Sequence, residues 1–152
     1  MTSAASYIAQ SRCHLESGSA AEALAASERG LGTYPSDEEL QLLRALSLMA
    51  LEDHARAVES LRLLVAVNTG NEEAWLRLGA CEVRLDNPRG AVEAFEKGLQ
   101  MRPDAFLARL QYAESLLALG DRDGALIQAF RAVTAAQSKG RWLNDQTTAP
   151  EL

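Results

Sequence analysis

Four alanines, Ala23, Ala57, Ala91 and Ala125, recur at one constant interval, and four places before each stands a residue suited to capping a helix: Ser19, Asp53, Asn87 and Asp121. Two physical requirements thus share one period. The alanine lets two helices approach closely, and the cap supplies an oxygen to the orphan N–H groups where a helix begins. A second small position runs through Ser11, Ala45, Gly79 and Ala113 at the same spacing. A chain constrained in this way stacks copies of one unit, because a single unit cannot bury its own apolar face.

The clearest unit is Glu72 to Ala105. Its apolar pattern predicts one amphipathic helix over 73–85 and a second over 88–101, divided by the turn Asp86-Asn87-Pro88. Asn87 suits the cap of the second helix and Pro88 its first position, where a missing N–H costs nothing. Sliding this stretch along the chain gives frames 4–37, 38–71, 72–105 and 106–139 without insertion, and a remainder, 140–152. In the first frame Ser19 and Glu22 are spaced as a capping box. An apolar content of 47% with 24% charged residues is that of a folded chain, and few aromatics beside many Ala, Leu, Glu and Arg favour helix.

Trp75, Leu78, Gly79, Ala91, Phe95 and Pro103 stand at the offsets of the tetratricopeptide-repeat pattern, and the stretch resembles that family. The resemblance implies an all-α fold, an α-solenoid in which four helix-turn-helix repeats form a right-handed superhelix with the first (A) helix of each unit lining the concave face. Departures from the pattern cluster in the outer units. Tyr7, Gln41 and Arg109 stand where Trp75 does, and Ser27, Leu61 and Ala129 where Phe95 does.

Several classes of chemistry find no support. The net charge of −6 is spread over the chain with no basic stripe, which argues against nucleic acid and against anionic membranes as partners. No apolar run is long enough to span a bilayer and the N-terminus lacks the features of a signal peptide, so a cytoplasmic location is expected. His14 and His54 lie on different elements without metal-ligand spacing, and Cys13 and Cys81 share one place in alternate units, too far apart for a disulfide. Both thiols are expected to be buried, filling a small position. Carboxylates at helical spacing are expected to form i,i+4 pairs such as Glu93 with Lys97. Nucleotide-binding and nucleophile-elbow motifs are absent, so neither catalysis, nor a metal, nor a cofactor is expected within these residues.

The family resemblance implies that a protein or peptide partner is held in the concave groove. Its positions, carried over unit by unit, give as candidate binding residues Ile8, Arg12 and Leu15, then Leu42, Leu46 and Met49, then Leu76, Val83 and Arg84, then Leu107, Leu110, Glu114 and Leu117. Some members clamp a C-terminal carboxylate with Lys, Asn and Arg. Here those places hold Ile8, Arg12, Leu43, Glu73 and Arg77, of which only the arginines are compatible. The apolar row instead favours an apolar peptide, an amphipathic helix or a second subunit, so a homo-oligomer is a further expectation. Charges at Leu46 or Leu76 are expected to abolish partner binding while leaving helicity intact.

The closing GRWLNDQTTAPEL lacks helical periodicity and reads as a cap or a linker. It resembles the segment joining a tetratricopeptide array to the catalytic part of aspartyl/asparaginyl β-hydroxylase-like proteins, which use iron and 2-oxoglutarate. That resemblance implies an accessory domain of a longer enzyme, set beside the readings of a complete adaptor and of a self-associating structural module.

Overall fold

The computed structural model describes residues 2–147, with side chains described as far as Lys139. Eight helices follow one another among the described residues: α1 (Ala4–Glu16), α2 (Ala20–Thr33), α3 (Glu38–Ala50), α4 (His54–Val67), α5 (Glu72–Arg84), α6 (Pro88–Met101), α7 (Phe106–Ala118) and α8 (Arg122–Thr147). The A helices (α1, α3, α5, α7) and the B helices (α2, α4, α6, α8) each begin at the interval that separates the repeated alanines. Every helix packs on the next in sequence, and α1 also reaches α3 as α5 reaches α7. Contacts between successive A helices place the A side on the inner face of the curve. The chain is an α-solenoid, a right-handed superhelix of four helix-turn-helix units.

The turns follow from local chemistry. The side chains of Asp53, Asn87 and Asp121 accept the N–H of Arg56, Gly90 and Gly124, as the sequence predicts for three of the four B-helix starts. Ser19 makes no side-chain cap. The Ser19 N–H goes to the His14 carbonyl at 2.8 Å, and the Glu22 carboxylate of the expected capping box lies 3.1 Å from His14 Nδ1 on α1. Asn71 caps α5 by accepting the N–H of Ala74. Between A and B helices the chain passes through the left-handed region at Gly18, Glu52, Asp86 and Gly120, once in each unit and at the same place. Glycine occupies this place only in the two outer units.

Packing centres on the small positions. Phe95 is fully buried with its ring against Gly79, where an added Cβ would stand 2.6 Å from the ring. Gly98 does the same for Leu76 and Gly30 for Leu40 and Tyr7. Ser11, buried where the other units carry Gly or Ala, donates its hydroxyl to the Ala23 carbonyl at 3.0 Å, which removes the cost of burying it. Gly32, by contrast, lies in α2 with open space around it. Gly32→Ala is therefore expected to raise stability by about 0.5–1 kcal/mol, read as a higher urea midpoint at constant m-value.

The apparent departures at the Trp75 position share one function. Gln41 donates from Nε2 to the Pro35 carbonyl at 2.9 Å, Trp75 from Nε1 to the Thr69 carbonyl at 2.9 Å, and Arg109 from Nη2 to the Pro103 carbonyl at 2.7 Å. Three different side chains thus latch each unit to the same carbonyl of the unit before it. A charged side chain on each of the first three B helices adds a second tie to the following A helix. Arg44 donates to Glu28 at 3.3 Å, Arg62 to the buried Glu82 at 2.5 Å, and the Tyr112 hydroxyl to Glu96 at 3.0 Å.

Four sequence expectations require correction. Cys81 is buried but Cys13 is exposed, because among the described residues no B helix lies before α1 to cover that place. The Lys97 ammonium, expected beside Glu93, lies 4.6 Å from the Trp75 ring centroid, a cation–π arrangement. The B-helix cap at Ser19 does not form. The backbone of α8 continues helical to Thr147, past the boundary at 139, so only residues 148–152 of the expected aperiodic tail lie outside the described residues. Whether Trp142 caps the last helix concerns a side chain that is likewise outside them.

Candidate partner-binding groove

Every candidate groove residue lies on an A helix, and none of them is buried in the core. Ile8, Leu15, Leu42, Leu46, Met49, Leu76 and Val83 are half-buried, whereas Arg12, Arg84, Leu107, Leu110, Glu114 and Leu117 are exposed. The half-buried members serve two tasks. Leu42 and Met49 pack against the core of units two and three, and Leu76 and Val83 against that of units three and four. Exposure rises toward the last unit, where Leu107 is 65% and Leu117 57% accessible. Isolated exposed leucines are ordinary, but a row of them continuing a half-buried apolar strip along the inner face is a surface of a different kind.

The structure joins only part of this row into one depression. An open concavity of about 600 Å³ lies between α5 and α7, with Leu76 and Leu107 in its lining beside Ala80, Ala108, Phe106 and Gln111. Glu73, Arg77, Arg102, Asp104 and Lys139 complete its wall. A smaller one of about 90 Å³ brings Val83 of α5 to Glu114 of α7, next to Asn87 and Pro88. The first and second units contribute to neither.

Three arginines along the groove are paired with glutamates beside it. The Arg12 guanidinium pairs with Glu39, Arg77 with Glu73 at 2.8 Å, and Arg102 with Glu72 at 2.8 Å and Glu73 at 3.3 Å. Burial works to raise the Glu73 carboxyl, yet the hydrogen bonds and charges of Arg77 and Arg102 outweigh it and hold the group below the usual carboxylate range. The hydrogen bond that Arg102 donates to Glu72 lifts its guanidinium above the ordinary value. Both arginines at clamp positions are therefore occupied by resident glutamates, with which an incoming peptide carboxylate would have to compete.

Arg102, Gln111 and Lys139 were absent from the sequence-derived set. Arg102 had a signal: with Tyr34 and Asn68 it forms one recurring place of the period, whose side chains reach back toward the start of their own unit, to Thr2, Glu38 and Glu72. Gln111 and Lys139 carry no such signal, since the reach of a long side chain is not written in its spacing.

A family model described as tetratricopeptide repeat matches residues 1–137. Among curated proteins, the peroxisomal targeting signal receptor of Saccharomyces cerevisiae is 29% identical over 84 residues, covering 55% of this chain and 14% of the receptor. RNA polymerase II-associated protein 3 of Xenopus laevis is 31% identical over 96 residues, covering 63% of this chain and 14% of that protein. The chain spans a small part of the length of the curated relatives it matches. Of solved structures, a crystal structure of MamA superposes with a TM-score of 0.85 at 17% identity over 91% of this chain and 81% of its own. A second, MamA MSR-1, gives 0.79 at 18% over 91% and 79%. Identity of this size speaks for the fold, and the matched family model together with the four latched units places the chain in the tetratricopeptide repeat family.

Proposed function

We propose that this protein–protein interaction module holds an amphipathic helix or an extended apolar peptide along the inner face of its A helices. The observation that carries the reading is the apolar strip whose exposure increases to Leu107, Leu110 and Leu117 on α7. Because Arg12, Arg77 and Arg102 are already paired, affinity there comes from apolar burial more than from charge. The accessory-domain reading rests on the closing segment, most of which continues α8, and no feature of the groove favours it.

The test uses α7 in place of the Leu46 and Leu76 charges that the sequence suggests. Leu76 is pressed against Gly98, so a charge there would disturb folding as well as binding. Leu107→Glu and Leu110→Glu replace exposed side chains and are expected to shift stability by less than about 0.5 kcal/mol. Each is expected to weaken capture of the partner from a lysate of the native cells about 10- to 100-fold, with helicity by circular dichroism unchanged. Undiminished capture by both variants would remove the groove from consideration.

A further inference from the structure

The outward face of α8 differs from that of every other B helix. At the places where Val58, Val65 and Leu99 of α4 and α6 are buried, α8 carries Leu126 and Val133, and these lie open, as do Ile127 and Phe130, all four between 52% and 74% exposed. The Phe130 place is the telling one. In the first three units it holds Glu28, Arg62 and Glu96, the side chains that bond to the next A helix. In the fourth it holds a phenylalanine, 74% exposed. The fourth unit has exchanged this polar tie for an uninterrupted apolar stripe, which among the described residues no further helix covers.

We propose that this stripe is a homodimer interface, in which α8 packs antiparallel against α8 of a second copy about a two-fold axis near Phe130. The four side chains expose an apolar patch on the order of 500 Å². Two copies together remove roughly 1,000 Å² from water, the size at which a specific interface begins. The stripe is self-complementary. With the axis at Phe130 each phenylalanine meets its counterpart, Ile127 meets Val133, and Asp123 meets the neutral Gln137, while Arg131 flanks the axis at the solvent-exposed rim. Head-to-tail stacking is a poorer match. The outer face of α1 offers Ser6, Gln10 and the exposed Cys13 at the places that meet a preceding B helix in the other units, a polar surface for an apolar stripe. This surface lies apart from the A-helix groove, so the two interactions are independent.

Light scattering and sedimentation of the 152-residue chain test the proposal. The mass is expected to rise with concentration from 16.4 kDa to twice that value and to stop there. Phe130→Glu and, separately, Phe130→Lys are each expected to hold it at the monomer value with unchanged helicity, and an equimolar mixture of the two to restore the doubled mass, since opposite charges then meet at the axis. Ile127→Lys provides a second disruption should either variant fold poorly. A mass that stays monomeric throughout overturns the interface, as does a dimer indifferent to all three substitutions. A mass that continues past twice the monomer overturns the two-fold arrangement in favour of open stacking.

Discussion

Phe95→Ala is expected to lower the unfolding free energy by about 3–5 kcal/mol, measured as a fall in the urea midpoint with little change in slope. The size follows from position. Phe95 is fully buried between α5, α6 and α7, its ring against Gly79 on one side and 6.5 Å, centroid to centroid, from Tyr112 on the other. Helices meeting across a glycine cannot close further to fill the space, so the cavity persists and adds to the lost transfer free energy. The same geometry predicts non-additivity. Gly79→Ala alone places a methyl group 2.6 Å from the ring and destabilises, whereas in a Phe95→Leu background the methyl gains room. A double-mutant cycle is expected to return a favourable coupling of about 1 kcal/mol or more, and additivity would show that the two residues are not in mutual contact.

The second large effect is alkaline. Burial, reinforced by the neighbouring Glu82 carboxylate, pushes the Cys81 thiol up from 9.0 to about 11. The folded state thus holds the proton more tightly than the unfolded chain. Its contribution is fully present below the unfolded value and is lost as pH rises through the window from 9.0 to about 11. The loss amounts to about 2–3 kcal/mol. Tyr112, raised to about 12 by burial and by its hydrogen bond to Glu96, extends the decline at still higher pH. Urea midpoints followed through this window are expected to fall steeply, and less steeply in Cys81→Ala. A thiol reagent near neutral pH is expected to modify the exposed Cys13 quickly and Cys81 only at the rate at which the chain opens. Equal reactivity of the two thiols would contradict the burial on which the shift depends.

What the sequence disclosed depended on whether the physics was local. Small residues at Gly79 and Ala91 and caps at Asp53, Asn87 and Asp121 act within a few residues or along one helix contact, and each could be read from spacing. At Ser19 the capping box does not form, and its glutamate lies beside His14 on another helix, a neighbour that spacing does not reveal. Cys13 and Cys81 occupy equivalent places, yet their surroundings differ because among the described residues a B helix precedes α5 and none precedes α1. The continuation of α8 was hidden by a period criterion that detects helices with a buried face. A helical backbone satisfies its own hydrogen bonds without one. In the groove the apolar row was legible, and the i,i+4 spacing of Glu73 and Arg77 was there to be read, but the pairs of Arg12 with Glu39 and of Arg102 with Glu72 depend on side-chain reach between helices far apart in sequence.

The latch formed by Gln41, Trp75 and Arg109 has an implication for how such an array changes length over generations. Each donor grips a backbone carbonyl, a group that every residue possesses, so the joint does not depend on which side chain the preceding unit carries at that place. Loss or duplication of one whole repeat leaves a donor and an acceptor facing each other at the new seam. Loss of a single residue from the first turn of an A helix, ahead of the donor, instead turns that donor by about 100° around the helix axis and parts them. The joint therefore works as a coupling of standard gauge, open to exchange in whole lengths and closed to fractions.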